Sequence, residues 1–139
     1  MHTDDRPTQA TRAVGGQPAS TFKSTGGPGR LVAAMRYSMS GLRSAFKHEA
    51  AFRQELAIGV PLLAAVPWLA PGRWQAVAMI ASIVFVFVVE LLNSAVEAIA
   101  DAVSVDHHPL LGRAKDLGSA AVLFSLVTAA AVWALVLWP

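Results

Sequence analysis

Three carboxylates and one amide lie at helical spacing in an otherwise apolar part of the chain. They are Glu90, Asn93, Glu97 and Asp101, and the apolar segment runs from Trp74 to Ala100. At about 100° per residue, a helix places them at roughly 0°, −60°, −20° and +20° around its axis, so they share one face. Ionisable groups in a membrane helix cost so much free energy that they indicate a functional site. The spacing predicts a site that binds a cation, a neighbouring helix or a positively charged substrate.

These residue types suit the transfer of a group to a lipid hydroxyl. Glu90 follows Trp74 by 16 residues, which on a helix is about 24 Å of a hydrocarbon core about 30 Å thick. Glu90 is the deepest of the carboxylates, and it suits a general base for an alcohol. Glu97 and Glu49 can supply oxygen ligands to a hard cation, and Asn93 can orient the base or a phosphate. Because the chain has no cysteine, magnesium fits such a site better than zinc.

A loop predicted from Val103 to Asp116 follows the acidic stripe and carries two cations, Arg113 and Lys115. Positioned cations, a metal ion and an oriented nucleophile are the elements of phosphoryl transfer. The same two cations are equally suited to anchor the membrane topology. The chain has no GxxxxGK[ST] loop and no signature of the soluble kinases. The residues alone therefore indicate an interfacial acidic site, and phosphoryl transfer is one chemistry compatible with it.

The composition is that of a membrane protein. Of the 139 residues, 55% are hydrophobic and only 14% are charged, whereas a soluble domain has about a quarter charged residues. The formal net charge of +2 is too small to argue for a nucleic-acid partner. We predict an all-α membrane protein of one domain, in which a polar tail, residues 1–29, is disordered and residues 30–139 are embedded in the membrane.

The first predicted element is an amphipathic helix over about residues 30–53. An apolar stripe lies beside a basic one formed by Arg36, Arg43 and Lys47, a pattern typical of a helix that lies in the membrane interface. Glu49 falls on the continuation of the apolar stripe. It either pairs with Arg53 one turn later or faces the polar stripe of the later helix, and the spacing leaves both open.

Three transmembrane helices are predicted to follow, over about residues 55–71, 74–101 and 116–138. Trp68 and Trp74 lie on either side of the first turn, and Trp133 and Trp138 mark the far end of the last helix, as aromatic residues do at membrane interfaces. Most basic residues precede the first span or lie in the loop before the third. The positive-inside rule therefore predicts a multi-pass protein with its N-terminus in the cytoplasm.

Three blocks carry a resemblance to a known family. They are HEAAFRQE at residues 48–55, ELLNSAVEAIAD at residues 90–101 and GRAKDLGSAAVL at residues 112–123. In this order and spacing the chain resembles the prokaryotic integral-membrane diacylglycerol kinases, and the first block resembles the Gram-negative type more than the related undecaprenol kinases. Two departures stand out: Ala100 replaces a larger aliphatic residue, and Pro109 replaces an acidic residue after His108.

The resemblance implies a homotrimer in the bacterial inner membrane that phosphorylates diacylglycerol to phosphatidate with ATP and Mg²⁺. It implies that Glu90 is the proton acceptor, that Asn93 shapes the catalytic site, and that Glu49 and Glu97 are the metal ligands. Nucleotide contacts are implied for Arg30, Tyr37, Glu49, Glu97, His108, Lys115 and Asp116. Contacts with the lipid substrate are implied for Arg53, Glu90, Ser119 and Trp133.

Two other functions remain open at this point. An undecaprenol kinase would keep the chemistry and change the lipid. A non-enzymatic oligomeric conduit for cations or protons would use the same carboxylates, but no ionisable residue continues the stripe between Trp74 and Val89. The stripe therefore opens towards one side of the membrane only, which favours the lipid kinase.

Overall fold

The computed structural model describes residues 28–103 and 108–138, and in these ranges the chain is all-helical. The helices are α1 (Pro28–His48), α2 (Ala50–Leu69), α3 (Arg73–Val103) and α4 (Pro109–Leu137). The predicted all-α class is confirmed. The tail predicted over residues 1–29 lies outside the described residues, except for Pro28 and Gly29, which begin α1. The described chain forms two compact units, one ending at Met35 and the other beginning at Arg36.

The boundary between α1 and α2 is at Glu49, four residues before the end of the helix predicted over residues 30–53. Glu49 has extended dihedral angles, φ −99° and ψ 114°. The Arg53 guanidinium Nη1 donates hydrogen bonds to the main-chain oxygens of Phe46 (3.1 Å) and Lys47 (3.3 Å). These carbonyls end α1 and have no partner within the helix, so Arg53 stabilises the corner between the two helices.

Two of the described helices, α3 and α4, are long and apolar enough to cross a membrane. Most of their large apolar side chains are exposed, including Phe85 on α3 and Phe124 on α4. The first predicted span, residues 55–71, falls in α2, which begins with a polar stretch and contains Pro61 and Pro67. Four helices with two such long apolar members fit a helical membrane protein.

The helix α4 begins at Pro109, seven residues before the predicted start of the last span at residue 116. His108 precedes it in an extended conformation, with φ −109° and ψ 120°. Proline is favoured at the first position of a helix, where its missing N–H has no helical partner to lose. Arg113 and Lys115 therefore lie on a helix, not in the loop where the sequence analysis placed them.

The core lies where α2, α3 and α4 meet. It contains Val66 from α2, Met79, Ile83 and Val86 from α3, and Ala129 and Trp133 from α4. Trp133 is only 8% exposed, and its indole Nε1 donates a hydrogen bond of 3.4 Å to the Met79 main-chain oxygen. Trp133 thus packs α4 against α3, whereas Trp138, predicted with it to mark the membrane interface, is 81% exposed.

Candidate active site

The helix α3 carries the whole predicted polar stripe, from a buried glutamate to an exposed aspartate. Glu90 is 2% exposed. One turn further on, the Asn93 amide Nδ2 donates a hydrogen bond of 3.1 Å to the Glu97 carboxylate Oε1. Asp101 is exposed and lies two residues before the end of the helix. The stripe therefore leads from the interior of the helical bundle to its surface.

Several carboxylates lie close enough to Glu90 for their charges to repel its own. They are Glu49 at the corner between α1 and α2, Glu55 on α2, and Glu97 on α3. The closeness of Glu49 to Glu90 favours the arrangement in which Glu49 faces the polar stripe, one of the two that its spacing left open. A concentration of negative charge this close to a buried carboxylate favours the binding of a cation.

Glu55 was not among the predicted site residues. Its Oε2 atom is buried and has no hydrogen-bond partner among the described residues. The only signal in the sequence was its place at the end of the HEAAFRQE block. Its approach to Glu90 depends on how α2 packs on α3, and helical periodicity within α2 carries no information about that packing.

Helix α4 meets Asn93 of the stripe at Gly118. A Cβ atom built on Gly118 would overlap the Asn93 side-chain oxygen Oδ1. That oxygen is buried and has no hydrogen-bond partner among the described residues. The absence of a side chain at Gly118 therefore allows the Asn93 amide to lie against the α4 backbone.

A second link between α3 and α4 lies at the exposed end of the stripe. The Lys115 ammonium Nζ is 3.0 Å from Asp101 Oδ1. Asp101 lies on the predicted stripe, but it is not one of the predicted catalytic, metal, nucleotide or lipid residues. Asp116 and Ser119 follow Lys115 on α4 and are exposed, and His108 is exposed just before the helix begins.

The remaining predicted site residues with described surroundings are Tyr37, Arg30, Arg53 and Trp133. Tyr37 on α1 is 59% exposed, and the Arg36 guanidinium lies 5.7 Å from its ring centroid. Arg30 belongs to the separate unit that ends at Met35. The Arg53 guanidinium donates hydrogen bonds to the last carbonyls of α1, and Trp133 is part of the core. Their predicted contacts with substrates stay predictions.

A cleft of about 610 Å³ lies between α2, α3 and α4. Its walls are apolar except for two adjacent residues, Gln54 and Glu55, which lie about one turn from the start of α2. The lining residues on the far side include Leu126, Ala129 and Trp133 from α4. An apolar cleft whose polar lining is one carboxylate, Glu55, and one amide, Gln54, suits a molecule that has long hydrocarbon chains and a small polar head.

Residues that can hold a metal ion are few in the described ranges. Residues 28–103 and 108–138 contain no group of three or more His, Asp or Glu side chains placed to hold a metal ion together. Glu49 and Glu97 supply two carboxylates near Glu90. Mg²⁺ typically binds one or two protein carboxylates and completes its coordination with water and substrate phosphates. One or two carboxylates are therefore enough for a Mg²⁺ ion that arrives with a nucleotide.

Comparisons with known proteins point to one family. The family model described as prokaryotic diacylglycerol kinase matches residues 36–137. The chain is 46% identical over 109 residues to the diacylglycerol kinase of Escherichia coli strain K12, which covers 78% of this chain and 89% of the relative. It is 42% identical over 118 residues to that of Pseudomonas aeruginosa, with 85% and 96% covered. It is 40% identical over 112 residues to that of Haemophilus influenzae, with 81% and 94% covered. The chain belongs to the prokaryotic diacylglycerol kinase family.

Proposed function

We propose that this chain transfers the γ-phosphoryl group of ATP to the free hydroxyl of diacylglycerol and releases phosphatidate and ADP. The observation that carries the proposal is the buried Glu90. It lies close to Glu55, which lines an apolar cleft, and on the same helical stripe as the linked pair Asn93 and Glu97. A lipid hydroxyl and a soluble phosphate donor can meet where a stripe of this kind passes from the interior to the surface. Membership in a family of diacylglycerol kinases supports the choice of lipid.

In the proposed reaction, Glu90 accepts the proton of the lipid hydroxyl as the oxygen attacks the γ-phosphorus. The O–H bond of the lipid and the bond between the β- and γ-phosphates break, a new O–P bond forms, and ADP leaves. General bases of this type typically contribute about 10²–10⁴-fold to the rate. Burial favours the role because Glu90, 2% exposed, has little water to compete with the lipid hydroxyl for its proton-accepting oxygen.

The proposed metal site consists of Glu49 and Glu97. A Mg²⁺ ion held there would neutralise charge on the phosphates of ATP. Asn93 holds the Glu97 carboxylate through the hydrogen bond of 3.1 Å, which fixes one of its two oxygens and leaves the other for the ion. Such hydrogen-bonded partners of a metal ligand orient it and tune its affinity.

The proposed nucleotide site lies at the exposed end of the stripe. Lys115 is held by Asp101 at 3.0 Å, and its ammonium group is placed to offset phosphate charge. Asp116, His108, Tyr37 and Arg30 are assigned to the nucleotide from the family resemblance. Pro109 begins α4 at the position where the family commonly has an acidic residue, so we expect fewer charged contacts with the nucleotide at that corner.

The lipid is proposed to occupy the apolar cleft, its hydroxyl directed to Glu90 and its acyl chains along α2 and α4. Trp133 lines the cleft, and Ser119 and Arg53 are assigned to the lipid from the resemblance. We further propose three transmembrane helices formed by α2, α3 and α4, in an inner-membrane homotrimer with a cytoplasmic N-terminus. Exposed apolar side chains on both α3 and α4 support burial of these helices against lipid or a neighbouring protomer.

The test is a transfer assay with γ-labelled ATP and the purified protein in mixed micelles. Diacylglycerol and undecaprenol are supplied in separate reactions, each with and without Mg²⁺. Mg²⁺-dependent label that migrates as phosphatidate is expected. Label mainly on undecaprenol would contradict the proposed lipid, and label on neither lipid from a folded protein would contradict the kinase function.

A further inference from the structure

Gly118 is one of two points at which α4 contacts the acidic stripe in the described residues, and it is the one that meets Asn93. A Cβ built there would overlap the Asn93 Oδ1 atom and would lie 3.3 Å from Asn93 Cγ. The α3 backbone itself is not crowded, because the same Cβ would lie 3.8 Å from Asn93 Cα, an ordinary van der Waals contact. No residue with a side chain fits at this position without displacing the amide.

The contact bears on chemistry because an amide has two different ends. Nδ2 donates to the Glu97 carboxylate at 3.1 Å, and Oδ1 faces α4, buried and without a hydrogen-bond partner among the described residues. Rotation of the amide by half a turn would direct Oδ1 at the carboxylate, and two acceptors repel each other. The hydrogen bond to Glu97 therefore decides which end of the amide faces α4, and packing against α4 keeps the amide in place even though its buried acceptor has no partner, which costs free energy. The α4 backbone at Gly118 supplies that packing.

We propose that Gly118 is a positioning residue, which acts through Asn93 to hold the Glu97 carboxylate in its metal-binding orientation. The proposal rests on the proposed role of Glu97 as a metal ligand. Gly118 touches neither the metal nor a substrate, so its effect passes entirely through the Asn93 side chain. Partners that orient a metal ligand typically change metal affinity by about 10–100-fold when they are lost.

Gly112 on the same helix provides a matched control. It lies six residues before Gly118, and a Cβ built on it meets nothing within 4 Å. Gly112→Ala and Gly118→Ala make the same chemical change on the same helix, and only the second one displaces Asn93. A difference between the two variants therefore reports the contact and not the helix propensity of alanine.

The experiment is a double-mutant cycle on the full chain in mixed micelles, with Gly118→Ala, Asn93→Ala and the double variant beside Gly112→Ala. Two quantities are measured: the Mg²⁺ concentration that half-saturates binding of a fluorescent ATP analogue, and the melting temperature. Gly118→Ala is expected to raise the Mg²⁺ requirement about tenfold and to lower the melting temperature. Gly112→Ala should do neither. In the Asn93→Ala background, the change at Gly118 should add nothing to the Mg²⁺ requirement, and the melting temperature should recover because the added methyl group fills vacated space.

Each remaining outcome decides the proposal. Equal behaviour of Gly118→Ala and Gly112→Ala would overturn it, and so would additive effects in the cycle. If Gly118→Ala does not fold, folding of the double variant supports the proposal, and failure of both overturns it. If the unmutated chain shows no Mg²⁺-dependent binding of the ATP analogue, that result would instead contradict the proposed function. The melting temperatures would then still show whether Gly118 and Asn93 are in contact.

Discussion

Replacement of Trp133 tests how strongly the core holds α4 against α3. The side chain is 8% exposed and packs with Met79, Ile83 and Val86. In a membrane, an unfolded helix keeps apolar surroundings, so transfer from water contributes little and the cost is mainly lost packing. Large-to-small changes of this kind cost about 3–5 kcal/mol in soluble cores, including the cavity they leave. We expect Trp133→Ala to lower the free energy of unfolding by about 3 kcal/mol, the lower end of that range.

Trp133→Phe separates the hydrogen bond from the packing. Phenylalanine retains most of the ring volume and removes only the bond of 3.4 Å to the Met79 carbonyl. Hydrogen bonds between membrane helices are worth about 0.6 kcal/mol on average, and the Met79 oxygen keeps a second donor, the Ser82 hydroxyl at 2.8 Å. The expected loss is therefore about 0.5 kcal/mol.

Trp138 is the matched control, five residues later and 81% exposed. Trp138→Ala should change the free energy of unfolding by less than about 0.5 kcal/mol, as exposed substitutions usually do. The assay is unfolding by sodium dodecyl sulfate in mixed micelles, followed by circular dichroism at one protein concentration, because assembly makes stability depend on concentration. Equal losses for Trp133→Ala and Trp138→Ala would refute the assignment of Trp133 to the core.

Three further changes test the site and the corner of the fold. Glu97→Gln keeps an oxygen that accepts the Asn93 hydrogen bond but removes the charge, so the Mg²⁺ requirement of nucleotide binding should rise about tenfold or more; an unchanged requirement would exclude Glu97 as a ligand. Asp101→Asn should leave thermal stability unchanged because its ion pair with Lys115 is exposed. Lys115→Gln should lower kcat/KM for ATP about 100-fold because it removes a cation that stabilises phosphate charge; an equal kinetic loss in Asp101→Asn would show that the two residues act as a unit. Arg53→Gln should lower the free energy of unfolding by about 1 kcal/mol, measured by circular dichroism, because the last carbonyls of α1 lose their donor.

The helices could be predicted because their apolar patterns are long and regular, but one boundary could not. Glu49 separates α1 from α2, although neither glycine nor proline marks the position and the surrounding residues all favour helix. What stabilises the break is the hydrogen bonding of Arg53 to the end of α1, a tertiary contact that local propensity does not contain. The start of α4 at Pro109 could have been predicted, because proline is common at the first position of a helix.

The same distinction applies to the site, where relations within one helix could be predicted and contacts between helices could not. Glu90, Asn93 and Glu97 could be grouped from the sequence because their relation depends only on the geometry of one helix. The approach of Glu55 to Glu90 and of Gly118 to Asn93 depends on how neighbouring helices rotate about their axes. That rotation is decided by side-chain packing across the interface, which helical periodicity does not determine. The pairing of Lys115 with Asp101 likewise depends on how α4 packs against α3.

The central claim is that Glu90 accepts the proton of the lipid hydroxyl. The most direct measurement is the single-turnover rate of phosphate transfer to diacylglycerol by Glu90→Gln, with saturating ATP and Mg²⁺, compared with the unmutated chain. Glutamine keeps the shape, removes the proton acceptor and relieves repulsion by the neighbouring carboxylates. The account predicts a rate about 10²–10⁴-fold lower, with nucleotide binding retained and a melting temperature that is unchanged or higher. A transfer rate close to that of the unmutated chain, or a loss of rate that only parallels unfolding, would contradict it.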